Sequence, residues 1–309
     1  MVEIISKMLA NNKFSAIKEM LSEMNVVDIA ALIEEMEPEN QVRLFRLLPK
    51  TSSADAFSYL PGDIQGNIVD AITNSELEFL MEDMFLDDAV DFLEEVPANV
   101  VTRVLAHTKP DTRKLINKFL QYPENSAGSI MTIEMVSFPE TYTVKQAIEM
   151  IRKTALDKET IYTCYCMDDK RKLVGTVPLR KLIVAPENQI VKDIMEDDEQ
   201  LIFVNTMDDQ EEVAAIAKKY DLLSIPVVDK EERLVGIITI DDIVDVIEDE
   251  NTEDFEKMAL LLPSEDSYLK TGIFTLYKNR IVWLLILMVS ATFTGQIIEG
   301  FEDKLSMIA

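Results

Sequence analysis

Residues 173–184 read LVGTVPLRKLIV and residues 234–245 read LVGIITIDDIVD. Each runs from a β-branched stretch through a glycine into a polar helix start, and the two stand 61 residues apart. A switch from an extended apolar run to helical spacing marks a strand followed by a helix. Working outward, AGSIMT around Met131 pairs with VKDIME around Met195 at an offset of 64. Similarly, TVKQAIEMIRK from Thr143 pairs with DQEEVAAIAKK from Asp209 at an offset of 66. The segment 123–250 is therefore an internal duplication, each copy reading strand, helix, strand, strand, helix. Residues 161–167 (IYTCYCM) and 224–228 (SIPVV) are the expected central strands, each followed by an acidic turn.

Ahead of the duplication, residues 1–122 read as short helices punctuated by Pro38, Pro49, Pro61, Pro97 and Pro110. A proline ring cannot occupy an interior helical turn, so each is expected to stop a helix. Apolar residues recur at three and four, as in Ile29, Leu32, Ile33 and Met36, which predicts one buried stripe per helix. The expected fold is an all-α superhelix, then an α/β tandem pair, then a long connecting helix over 251–272 and a membrane segment within 273–309.

Composition narrows the function. The 309 residues hold 57 Asp and Glu against 30 Lys and Arg, a net charge of −27, which repels nucleic-acid phosphates. Eight glycines include no phosphate-binding loop, and a single histidine leaves the usual zinc-enzyme patterns unfilled. Cys164 and Cys166 alternate along one strand, which suits a half-buried sheet face and a reducing compartment. His107, before a helix end, reads as a loop or capping residue, and the sixteen methionines as core filler. No nucleophile and base pattern can be assembled, so no enzyme activity is expected.

Residues 281–298 (IVWLLILMVSATFTGQII) carry no charge. As a helix they span roughly 27 Å against a hydrocarbon thickness of roughly 30 Å. Lys270, Lys278 and Arg280 precede them while Glu299, Glu302 and Asp303 follow, which puts the preceding domains in the cytoplasm. A buried core helix is the alternative. Ser290, Thr292, Thr294, Gly295 and Gln296 favour packing against further helices.

Residues 241–256 hold nine carboxylates and no base. Helical spacing sets Asp242, Asp245, Asp249 and Glu253 on neighbouring turns, where like charges destabilise the helix by a few tenths of a kcal/mol each. A partly hydrated magnesium ion would offset that, since it takes one or two carboxylates and keeps most of its water. A solvated acidic face is the competing reading. A second acidic set, FLDDAVD at 85–91, puts Asp87 and Asp91 on one helical face.

The twin repeats resemble a pair of CBS modules, which form a pseudo-dimeric disc. More narrowly, AGSIMT, the run ETIYTCYCMDDKRKLVG at 159–175 and the run TIDDIVDVIEDENTEDFEKMA at 239–259 resemble the cytosolic part of MgtE-type magnesium transporters. The resemblance covers nearly the whole chain. It implies a helical magnesium-sensing domain over 1–122, the CBS pair over 123–250, a connecting helix over 251–272 and the first membrane segment over 273–309. It further implies magnesium held between Asp87 and Asp91 of the helical domain and Asp242, Asp245, Glu250 and Glu253, with Asp209, Glu211 and Asp221 as further acids. Asp55 stands where the family has an acidic residue, one methylene shorter than the glutamate expected there.

From the CBS resemblance comes a second ligand, adenine nucleotide such as ATP, through Thr239 and Asp242. Pro178 and Lys181 stand at the equivalent positions of the first repeat, so at most one such site is expected. The family also implies a homodimer through the CBS and membrane domains, in the cell (inner) membrane, multi-pass at full length. Its function would be a magnesium transporter or channel whose acidic domains sense intracellular magnesium and close the pore when it is high. A membrane-anchored, nucleotide-sensing CBS regulator without transport activity is the alternative. The family's pore needs several membrane helices, and this sequence ends about ten residues after the first, so it reads as part of a longer chain and by itself is not expected to conduct.

Overall fold

A computed structural model of the protein describes residues 1–196, 201–258 and 273–306. It comprises two bodies, Met1–Ile243 and Val244–Ala309. In the first, ten helices among the described residues precede any strand. They are α1 (Val2–Ala10), α2 (Phe14–Ser22), α3 (Val26–Glu34), α4 (Pro38–Phe45) and α5 (Lys50–Ser58), followed by α6 (Gly62–Ala71), α7 (Asn74–Asp83), α8 (Leu86–Glu95), α9 (Ala98–His107) and α10 (Pro110–Phe119).

Each helix buries one stripe, such as Ile29, Leu32 and Ile33 on α3. The stripes join elements two apart: α3 packs on α5, α4 on α6, α5 on α7, α6 on α8, α7 on α9 and α8 on α10. That constant stagger winds the chain into a superhelix. The prolines act differently from the expected stops, because each also opens the next helix. Pro38 and Pro110 lie in the first turn and Pro49, Pro61 and Pro97 at the N-cap. A missing N–H costs nothing there, since the first turn has no helical acceptor for it. Inside the superhelix, Phe57 meets Phe45 at 5.9 Å and Phe92 at 5.1 Å between ring centroids, which anchors α8 against α4 and α5.

The first repeat contains β1 (Met135–Pro139), α11 (Val144–Thr154), β2 (Thr160–Met167), β3 (Leu173–Pro178) and α12 (Leu179–Val184). The second contains β4 (Val204–Asn205), α13 (Gln210–Tyr220), β5 (Ser224–Val228), β6 (Leu234–Thr239) and α14 (Ile240–Met258). Both sheets have the central strand parallel to one neighbour and antiparallel to the other, in the orders β1-β2-β3 and β4-β5-β6. The acidic turns repeat as well. Asp168 Oδ1 accepts the N–H groups of Lys170 and Lys172, both at 2.8 Å, and Asp229 Oδ1 those of Glu231 and Arg233, both at 2.9 Å. Arg171 (φ 66°) and Glu232 (φ 63°) take the left-handed conformation in the two turns, and Lys172 pairs with Glu232 at 2.9 Å to join them.

Pairing between the repeats explains the offset of 64. Thr132, ahead of the first repeat, bridges to Ile237 of the second, while Glu196, ahead of the second, bridges to Thr176 of the first. Gly236 and Gly175 make room for these crossings. A Cβ on Gly236 would lie 2.7 Å from the Thr132 carbonyl oxygen and one on Gly175 2.6 Å from that of Glu196. Gly236→Ala is therefore expected to destabilise the pair by about 1–3 kcal/mol through overpacking, read as a lower thermal midpoint; an unchanged midpoint would contradict this packing.

Cys164 and Cys166 are fully buried rather than half-buried. Helices α11 and α12 cover their face through Val144, Ala147, Ile151 and Leu182, while the other face presents Tyr165 to Leu234 and Ile237 of the second repeat. Tyr165 also shares a 2.7 Å hydrogen bond with Ser224 across the repeats. Burial pushes both thiols up to about 12, which leaves them protonated and inert. His107 Nδ1 lies 2.9 Å from the Arg103 carbonyl oxygen at the end of α9, a capping contact.

In the second body, α15 (Ile273–Ser306) contains a stretch, Trp283–Phe301, long and apolar enough to cross a membrane. None of that stretch is buried, unlike a core helix. Thr292 and Thr294 donate to the carbonyls of Met288 and Ser290, which satisfies their hydroxyls within the helix. The expected connecting helix over 251–272 is described only to Met258, as the end of α14; residues 259–272 lie outside the described residues.

Candidate acidic cation site

The site builds outward from α8. Phe85, in extended conformation, precedes the helix, and Asp87 and Asp88 fall in its first turn, where unpaired backbone N–H groups favour negative charge. Packing of Phe92 on Phe57 holds the helix in place. Asp87 is 8% exposed, and its Oδ1 is a buried oxygen with no hydrogen-bond partner. Asp88 is half-buried, while Asp91, one turn on, keeps solvent access at the rim of the site although protein crowds its carboxylate.

Two parts of the CBS pair contribute acids. In the second repeat, Asp242 lies in the first turn of α14 and reaches back to the Thr239 hydroxyl at 2.7 Å and its N–H at 3.3 Å. In the first, parallel pairing of Met135 with Thr160 sets Glu134 beside Glu159, whose N–H donates to the Glu134 carbonyl at 2.8 Å. Glu134 Oε2 accepts from the Thr132 hydroxyl at 2.6 Å and the Ile133 N–H at 3.1 Å.

These carboxylates act on one another. Burial, then the charges of Asp88, Asp242, Glu159 and Glu134, holds the Asp87 carboxyl well above the usual range. Asp88 is pushed up to about 6 by burial and by Asp242, Asp55 and Asp241, against a lowering from Ser58. Surrounding protein first, then Asp242, Asp88, Glu94 and Glu95, pushes Asp91 up to about 7. Glu159 also rises to about 7, through burial and then Asp241, Asp88, Asp242 and Glu134. Burial and the charges of Asp241, Asp88, Asp55 and Glu159 raise the exposed Tyr59 hydroxyl as well. Asp55, itself raised by burial and by Asp83, thus belongs to the same field. The charges that shift Asp87, Asp88, Asp91 and Glu159 are all negative.

An arrangement of oxygen donors alone, with one buried oxygen left unsatisfied, suits a hard divalent cation. Among the described residues no three carboxylates converge closely enough to cage a bare ion. A cation held here would keep part of its water, as magnesium does.

The other expected acids lie elsewhere. Asp209 caps α13 by accepting the Glu211 N–H at 2.9 Å, and both are exposed. Asp221, at the far end of α13, takes a left-handed conformation (φ 52°) that closes the helix. None of the three is among the charges shifting the α8 acids. Asp245, Glu250 and Glu253 belong to the second body, where Glu253 pairs with Lys257 at 2.7 Å. Sequence reasoning did not single out Glu134 and Glu159. Their signal is topological, since the residues preceding two parallel neighbouring strands come side by side.

Thr239 and Asp242, the pair expected to hold nucleotide, are engaged with each other through a 2.7 Å bond from the Thr239 hydroxyl to the Asp242 carboxylate. In the first repeat, Lys181 pairs with Glu196 at 3.0 Å.

The model for the MgtE intracellular N domain matches residues 24–125, and that for the CBS domain matches 127–188 and 191–249. The magnesium transporter MgtE of Thermus thermophilus is 36% identical over 297 residues, 95% of this chain and 65% of that protein. The Bacillus subtilis magnesium transporter MgtE is 30% identical over 301 residues, 97% of this chain and 66% of that protein. This chain thus spans slightly less than two thirds of either relative. The crystal structure of the cytosolic domain of the Mg2+ channel MgtE in complex with ATP matches with a TM-score of 0.75 at 36% identity, over 80% of this chain and 100% of that one.

Proposed function

Because the chain belongs to the MgtE family, we infer that it forms the cytosolic sensor and first membrane span of a magnesium transporter that high intracellular magnesium closes. One observation carries the sensing part: Asp87, buried with an unsatisfied oxygen, sits in a field of carboxylates drawn from the helical domain and both CBS repeats. In this reading Asp87, Asp88 and Asp91 on one side and Glu159 and Asp242 on the other hold hydrated magnesium, whose charge removes their mutual repulsion. Without it the acids push the helical domain away from the CBS pair. Asp245, Glu250 and Glu253 on α14 extend the response towards the membrane segment through the connecting helix assigned to 251–272. The further acids Asp209, Glu211 and Asp221 would meet magnesium at a separate surface.

Magnitudes permit such a switch. Moving a two-state gate from 1:99 to 99:1 takes about 5.5 kcal/mol of differential binding, which five or six weak sites of about 1 kcal/mol each supply. Joint occupation makes the response steep. The cytoplasm is the proposed side for the sensor, and a homodimer the proposed assembly. Limited proteolysis of the full chain tests the reading: millimolar magnesium is expected to protect the helical domain, and Asp87→Asn to remove most of that protection. Equal cleavage with and without magnesium in the unaltered chain would overturn it.

ATP is a second ligand, supported by the nucleotide-bound relative and by the Thr239 and Asp242 pair. Binding through this pair requires its hydrogen bond to open. With Pro178 and Lys181 in the first repeat, one nucleotide per chain is expected, as read by equilibrium dialysis; two per chain would contradict the assignment.

A further inference from the structure

A cavity of about 330 Å³ opens in the helical domain between α4, α5 and α7, lined by none of the carboxylates of the acidic field. Its base is apolar, from Phe45, Leu48, Ile72 and Leu80, all buried. That volume falls in the range of small-molecule pockets, about 300–1,000 Å³. The polar lining is what sets it apart. Arg46 is engaged twice, donating to the Ala71 carbonyl at 2.8 Å and pairing with Glu76 at 3.5 Å. Glu76 in turn accepts from the Thr73 N–H and hydroxyl in a capping box at the start of α7. Lys50, the first residue of α5, places its ammonium 4.8 Å from the centroid of the Phe79 ring. Among the described residues that ammonium has no carboxylate partner, although the chain carries 57 acids.

Two cations against one carboxylate leave the lining with one surplus positive charge, and it resides on Lys50. We propose that this cavity binds a small monocarboxylate with an apolar or aromatic body, its carboxylate on Lys50 and its body against Phe79 and the buried floor. A single point charge over a ring suits a monoanion. Phosphate dianions would need more donors than the lining offers, and an apolar cation would meet Lys50 as a like charge. The Ser53 and Ser75 hydroxyls lie on the same lining, but Ser53 donates to the Lys50 carbonyl at 3.1 Å and Ser75 contacts the Thr73 hydroxyl at 3.2 Å, which leaves Lys50 as the free donor.

Ligand-observed fluorine NMR on the full chain in lipid nanodiscs, with empty nanodiscs subtracted, tests this with 3-(4-fluorophenyl)propanoate and its neutral amide. The acid is expected to bind saturably, with the amide weaker by about tenfold, the loss of one charge-assisted contact. Lys50→Gln should weaken the acid by about the same factor and leave the amide unchanged. Ser53→Trp, which fills the cavity, should weaken both. Equal binding of acid and amide, unchanged acid binding in Lys50→Gln, or no saturable binding of the acid to the unaltered chain would each overturn the proposal.

Discussion

Replacing Asp87 with asparagine is expected to raise the thermal midpoint of the magnesium-free protein and to remove most of the further rise that magnesium produces. The substitution keeps shape and deletes a charge that is buried, lacks a partner at Oδ1 and is repelled by Asp88, Asp242, Glu159 and Glu134. Leaving a buried polar group unsatisfied costs about 1–3 kcal/mol, and more when it is charged. For a body of this size each kcal/mol is worth about 2–4 °C, so a rise of about 2–12 °C is expected. A purely structural Asp87 gives the opposite result: a lower midpoint and an undiminished magnesium response. Differential scanning fluorimetry at several magnesium concentrations separates the two.

The second large effect is in pH. Free Asp and Glu titrate near 3.9 and 4.3, whereas Asp88 titrates at about 6 and Asp91 and Glu159 at about 7, with Asp87 also raised. Between about pH 4 and 7 the folded state therefore holds more protons than the unfolded one. By linkage, stability falls as pH rises through that window, and the penalty from Asp88, Asp91 and Glu159 is complete above about 7. The sign is opposite to that of a salt-bridged carboxylate. Each retained proton gives a slope of at most about 1.4 kcal/mol per pH unit, less at solvent-facing Asp91 where water screens the charge. The groups facing one another are Asp55, Tyr59, Asp87, Asp88 and Asp91 from the helical domain, with Glu134, Glu159, Asp241 and Asp242 from the CBS pair. In saturating magnesium the slope should flatten, because the cation replaces the protons. Thermal midpoints from pH 5 to 7.5 with and without magnesium check this, together with proton release on magnesium addition in buffers of different ionisation enthalpy. A midpoint that climbs with pH in the absence of magnesium would refute the assignment.

Much of the fold was legible because the duplication repeats chemistry as well as letters. The LVG glycines mark where one repeat's leading segment crosses the other's sheet, and the turns at Asp168 and Asp229 use the same side-chain contacts. Prolines announced helix boundaries but not which side they serve, since a first-turn proline and a helix-terminating one look alike in sequence. The burial of Cys164 and Cys166 was hidden for a similar reason: alternation shows that a face is apolar, not that a second repeat covers the opposite face.

The candidate site was legible in part. Asp87, Asp91 and Asp242 were placed by helical spacing and family resemblance, and the structure puts Asp242 within the field of both α8 acids. Asp88 and Asp241 stood in the acidic runs with no feature to favour them over their neighbours. Glu134 and Glu159 stood alone in sequence, and only parallel pairing of β1 with β2 brings them together. Asp209 and Asp221 show the converse. Carboxylates at the two ends of one helix also serve as its cap and its left-handed terminus, a local role that composition alone does not reveal.

Manganese(II), a hard divalent ion of similar ligand preference with a usable anomalous signal, gives the most direct measurement. In crystals of the protein grown with manganese, an anomalous difference peak is expected within reach, direct or through one water, of Asp87, Asp91 and Asp242, and its loss is expected in Asp87→Asn. Peaks at other acids, with none at this cluster in the unaltered protein, would contradict it.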